Sequence, residues 1–163
     1  MNEIIERLAA IWEKETRLVF LGVGSPLRAD DSVGLFIVEE LEKGLAATAG
    51  KELRFYLGES APENFSGAIR EFGPSTVIVF DAAEFGAAPG TFRLIEADEI
   101  GGASFSTHML PLHVLTNYLT ASAGCRILVI GIQPKLLEFG YPLTLKVQSA
   151  AVGFVRELAA RVG

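Results

Sequence analysis

The chain holds one cysteine, Cys125, which excludes an internal disulfide and makes the reducing cytoplasm the expected compartment. It has no Lys/Arg cluster or basic stripe. Fourteen basic residues are scattered among 20 acidic ones, for a net charge of −6, and this argues against a nucleic-acid partner. No apolar run reaches the ~20 residues of a membrane span. The opening Met1-Asn2-Glu3-Ile4-Ile5-Glu6-Arg7-Leu8 is too acidic and too broken for a secretory signal. Neither a Ser-His-Asp nor a Cys-His arrangement is offered, so a side-chain nucleophile is not expected. Gly22-Val23-Gly24 is half of a dinucleotide fingerprint, but Leu27 stands where the third glycine belongs, and this disfavours a Rossmann cofactor. Internal repeats and low-complexity segments are absent.

What is present is half hydrophobic, enough for a sizeable core in 163 residues, and one domain is expected. Ile4, Ile5, Leu8, Ile11 and Trp12 recur at helical spacing over residues 3–14, a packing helix without chemistry. Leu18 to Val23 reads as a strand buried on both faces. A helix follows from about Asp31 to Lys43, with Gly44 as its stop. Leu53 to Leu57 is a second strand, and a helix through Ile69 and Phe72 ends at Gly73-Pro74. Thr76 to Phe80 is the clearest buried strand, and Asp81 stands at its carboxyl end. Thr91 to Ile95 is a short strand, expected to be antiparallel because its return after strand three is too brief for a parallel crossover. Residues 97–109 are a long connection without clean period. A helix starts near Pro111, Arg126 to Ile132 is the last strand, and Val147, Ala151, Phe154, Val155, Leu158 and Val162 form the buried stripe of a final helix. The expected fold is an α/β three-layer sandwich: a mostly parallel five-stranded sheet with one antiparallel strand and helices on both faces.

Parallel strands send their following loops to one edge, where open α/β proteins place ligands. Asp30 and Asp31 follow strand one, Asp81 ends strand three, His108 sits in the long loop, and Gln133 follows the last strand. Two carboxylates and an imidazole make an incomplete coordination sphere for a borderline divalent metal, as expected of a site that meets a substrate. Each residue also has a plainer reading. One of Asp30 and Asp31 is expected to be a helix cap. Asp81 could cap a turn, and His108 could be an ordinary surface histidine. His113 lies within a helix pattern beside Leu112 and reads as structural. Cys125 reads as a small buried residue.

Four motifs in order resemble the [NiFe]-hydrogenase maturation endopeptidases. They are Gly22-Val23-Gly24-Ser25 running to Asp30-Asp31-Ser32-Val33-Gly34; Val77-Ile78-Val79-Phe80-Asp81-Ala82 with Pro89-Gly90 after it; Ser106-Thr107-His108 entering Pro111-Leu112; and Gly131-Ile132-Gln133-Pro134 followed by Tyr141-Pro142-Leu143-Thr144. The last looks most like the branch that serves hydrogenases of formate-hydrogenlyase type. The resemblance covers residues 18–156, leaving the helix at 3–14 as an N-terminal addition. Ser25 stands for the family's usual Asn, and Ser32 for its usual Gly.

The resemblance implies that Asp31, Asp81 and His108 touch nickel, with Asp30 as structural partner of Asp31. It also implies a substrate: a hydrogenase large-subunit precursor, nickel already inserted, from which a short C-terminal extension is removed. Two carboxylates and one histidine should hold free metal loosely, so the ion would arrive with the precursor as a recognition handle and Lewis acid, water being the nucleophile. Asp31 as general base is an open alternative. Two other classes compete: a small α/β module binding a nucleotide or anion near Ser32, and a self-sufficient metallohydrolase. A monomer is expected.

Overall fold

A strand with apolar side chains on both faces needs a layer against each. Thr76-Val77-Ile78-Val79-Phe80 is such a strand, and in the computed structural model, which describes residues 1–95 and 109–163, it lies at the centre of the sheet. Among the described residues five strands pair: β1 (Arg17–Val23), β2 (Glu52–Glu59), β3 (Thr76–Ala82), β4 (Phe92–Ile95) and β5 (Arg126–Ile132), in the order β2-β1-β3-β5-β4. The first four in that order run parallel, and β4 is antiparallel to β5. The short strand is thus antiparallel as expected, but β5 lies between it and β3. The chain passes the empty position beside β3 and a later strand fills it, a pairing that local spacing does not encode.

Strand alternation sorts the core into two layers. Leu18, Phe20, Ile78, Phe80, Leu128 and Ile130 point to one face. That face is covered by α1 (Asn2–Lys14), α2 (Val33–Leu45) and α5 (Leu145–Val162). Val19, Leu21, Val77, Val79 and Val129 point to the other, beneath α3 (Ser66–Phe72) and α4 (Met109–Ala123). Phe154 of α5 stacks on Phe92 at 4.5 Å and meets Phe80 edge-on at 5.8 Å, fixing the last helix over the middle of the sheet. In α5 the buried stripe narrows to Val147, Ala151, Phe154 and Leu158, with Val155 and Val162 half-buried at its margin.

Two boundaries differ from the periodic reading. The helix after β1 starts later, because Ala29–Ser32 forms a 3-10 turn first. Ala29 adopts φ +44, in the left-handed region, where a regular α-helix cannot begin. At its other end α2 runs through Gly44 to Leu45, so that glycine is not the stop. Among the described residues no helix is long and apolar enough to cross a membrane.

Candidate functional site

Three glycines bring the acidic turn down onto the strand ends. A Cβ on Gly34 would lie 2.2 Å from the Phe80 carbonyl oxygen and 2.5 Å from that of Val23. The first turn of α2 therefore rests directly on the ends of β3 and β1, which only glycine permits. Gly22 meets Gly34 from the strand side, with 2.7 Å from its would-be Cβ to the Gly34 oxygen. Gly24, at φ +134, has the Asp31 carbonyl where its Cβ would stand, at 1.7 Å. Backbone contact of this kind holds Asp30 and Asp31 at the carboxyl edge with little play.

The two acids then part ways. Asp30 is fully buried and turns toward the loop between β5 and α5. Its Oδ2 accepts from the amides of Lys135 (2.8 Å) and Leu136 (3.0 Å) and from the Thr144 hydroxyl (3.0 Å), while Oδ1 accepts from the Thr144 amide (2.7 Å). Backbone bonds run beside these, from Asp30 N–H to the Leu136 carbonyl and from Ala29 N–H to the Tyr141 carbonyl. Neither acid holds the expected cap position: the cap residues of the 3-10 turn and of α2 are Arg28 and Ser32. Asp30 is instead bonded to a loop more than a hundred residues downstream.

Asp31 is 2 % exposed and faces the other way. Its Oδ2 accepts from the Ser25 amide at 3.0 Å and lies 3.7 Å from the Arg28 guanidinium. Arg28 is held in turn by the Leu137 carbonyl at 3.2 Å and stacks over the Phe139 ring at 5.0 Å. Composition and periodicity gave no role to Arg28, whose one sequence signal is its place three residues before the acid. The two serines that replace the family's usual residues are accommodated. Ser32 has φ −80 and ψ −4, a conformation open to any residue, and its hydroxyl donates to the Ala29 carbonyl at 2.7 Å. The Ser25 hydroxyl accepts from Leu27 N–H at 3.3 Å and so closes the loop locally.

β3 runs two residues past the apolar stretch, so Asp81 is the penultimate residue of the strand and not part of a turn. It pairs with Gly131 of β5, is 1 % exposed, and alternation puts it on the same face as Val77 and Val79. A turn-capping role is thereby removed. Gln133 reaches the same edge as a brace: its Oε1 accepts from the amides of Phe85 (2.9 Å) and Ala87 (3.2 Å), and its Nε2 donates to the Pro134 carbonyl (3.3 Å).

His108 lies outside the described residues. Among those described, no three metal-type side chains gather. His113 is half-buried on α4, with Nε2 3.0 Å from Asn117 Nδ2, one helical turn away. Cys125 is buried, and burial pushes its thiol pKa up, so it stays protonated and is a poor nucleophile.

The model of one protein family, described as HycI, hydrogenase maturation protease, matches residues 36–161. The hydrogenase 3 maturation protease of Escherichia coli K12 is 36 % identical over 133 residues, which span 81 % of this chain and 82 % of that protein. A putative hydrogenase maturation protease of Methanocaldococcus jannaschii is 32 % identical over 127 residues, 76 % of this chain and 75 % of the relative. The crystal structure of the [NiFe] hydrogenase maturation protease HycI from Thermococcus kodakarensis superposes with a TM-score of 0.84 at 27 % identity, covering 96 % of this chain and 98 % of that one.

Proposed function

The chain belongs to the hydrogenase maturation protease family, and from that premise we propose that it is the endopeptidase that removes the C-terminal extension of a nickel-loaded [NiFe]-hydrogenase large-subunit precursor. Asp31, Asp81 and His108 are the side chains we assign to the substrate's nickel. The observation that carries this reading is the different use of the two adjacent acids. Asp30 accepts four hydrogen bonds from the loop, while Asp31 is turned to the carboxyl edge that Asp81 also reaches.

Two carboxylates together with an imidazole suit a borderline divalent ion. The Ser25 amide and the Arg28 guanidinium orient Asp31 before any ion arrives, which lowers the cost of forming the shared site. The ion, carried by the precursor, would fix that chain against the protease and polarise the carbonyl to be cut. Water is the nucleophile in this scheme, since the buried and protonated Cys125 is no candidate. A phosphate-binding module is disfavoured, because the amides around the acidic turn already serve two carboxylates and a phosphate would meet like charge there.

The test is cleavage of the purified precursor with and without nickel. The reading requires cleavage of the nickel-loaded form alone, and loss of it in Asp31→Ala, Asp81→Ala and His108→Ala. Wild-type rates in two of these variants would sink the assignment.

A further inference from the structure

The loop that Asp30 holds carries an unusual surface. Phe139 is 69 % exposed, Tyr141 55 % and Leu145 83 %, and Leu27 on the acidic turn is 67 % exposed. The backbone ties the acidic turn to the loop: the Gly140 amide donates to the Leu27 carbonyl at 2.9 Å, and the Ala29 amide to the Tyr141 carbonyl at 3.0 Å. Tyr141 and Leu145 also line one shallow groove of about 480 Å³ together with Leu136, Pro142 and Leu143. Single exposed apolar residues need no explanation, but a contiguous set containing two aromatic rings does.

The loop is also fixed in place. A mobile loop would give large apolar side chains to water at no functional gain, whereas this one is pinned at Lys135, Leu136 and Thr144 by one buried carboxylate. Phe139 is further steadied by Arg28, the residue that faces Asp31. Rigid aromatic anchors lose little entropy when they dock, and exposed Phe and Tyr beside a site are the usual composition of an interface centre.

We propose that Leu27, Phe139, Tyr141 and Leu145 form a docking surface for the folded body of the hydrogenase large-subunit precursor, separate from the residues that handle the cleaved bond. This rests on the function proposed above. The precursor is the occupant because the patch is continuous with the turn that carries Asp31. Arg28 spans from the Phe139 ring to the Asp31 carboxylate, and Leu27 precedes it on the same turn, so a protein chain seated at Asp31 adjoins this surface. The patch and Asp31 share one rigid frame, so docking on the first sets the position of the second.

The experiment compares wild type with Tyr141→Ser combined with Leu145→Ser, using the nickel-loaded precursor. Both residues are exposed, and circular dichroism with thermal melting verifies the fold. The KM for precursor should rise about tenfold or more while kcat stays within about twofold, the signature of lost uniform binding. Tyr118→Ala, an exposed aromatic on α4 across the sheet, should change neither constant. An unchanged KM in the double variant, with wild type active, overturns the docking surface and leaves the protease reading intact. Wild type that cleaves no precursor overturns both. Sedimentation showing a wild-type dimer that the double variant loses would assign the patch to a second copy and overturn the proposal.

Discussion

Asp30 and Asp31 are the same residue type, adjacent in sequence and both buried, yet they sit on two sides of a boundary. On one side is a loop closed around a carboxylate by four hydrogen bonds. On the other is a carboxylate that accepts from the Ser25 amide and faces the Arg28 guanidinium, at the edge where the strands end. Burial alone does not tell a framework acid from the one we assign to the substrate's nickel. The origin of the donors does: those of Asp30 come from a distant loop, whereas Asp31 is turned to the strand-end edge that Asp81 also reaches.

This contrast can be broken by exchanging the expected losses. Asp31→Ala should lower processing by more than ~100-fold, since even residues behind a metal ligand are worth 10–100-fold, while the urea midpoint moves little. Asp30→Ala should do the opposite first. It leaves the amides of Lys135, Leu136 and Thr144 without their acceptor and should cost about 2–4 kcal/mol in urea unfolding. If Asp30→Ala is fully stable, the assignment of this acid to the framework is wrong. Gly34→Ala should cost about 2–4 kcal/mol by forcing α2 off the ends of β1 and β3, and activity should fall with it because Asp31 moves. Ser32→Gly restores the family's usual residue. It should cost only about 0.5–1 kcal/mol through one lost hydroxyl bond and leave processing intact, since φ is already negative. Smallest of all, His113→Ala should change stability by less than about 0.5 kcal/mol and processing not at all, as it loses one exposed helical pair.

Much of this architecture is legible in the sequence because it is periodic. Val77, Val79, Ile78 and Phe80 announce a two-faced strand, and Val147, Ala151, Phe154 and Leu158 announce a helix face. The carboxyl edge follows from the strand-loop-helix order, which is how Asp31 and Asp81 are found. Pairing is less legible: nothing within Phe92–Ile95 says that its neighbour is β5, 35 residues or so further on. The work of Asp30 is not local either. Capping was the local expectation, and the true partners are Lys135, Leu136 and Thr144, which no window around residue 30 contains. The exposed loop had a signal that periodicity overlooks. Phe139, Tyr141 and Leu145 are apolar residues in a stretch broken by Gly140 and Pro142, where neither helix nor strand would bury them.

The partners of Asp30 have a consequence for the order of events during synthesis. The residue emerges early, and its acceptor duties wait for Thr144, 114 positions later. Contacts so distant form late in folding, after long stretches of chain have closed. Until the final fifth of the polypeptide has left the ribosome, the Asp30–Asp31 turn lacks the loop that shapes it. Any truncation before that loop yields a chain whose first motif is intact in letters and lacks the partners that shape it.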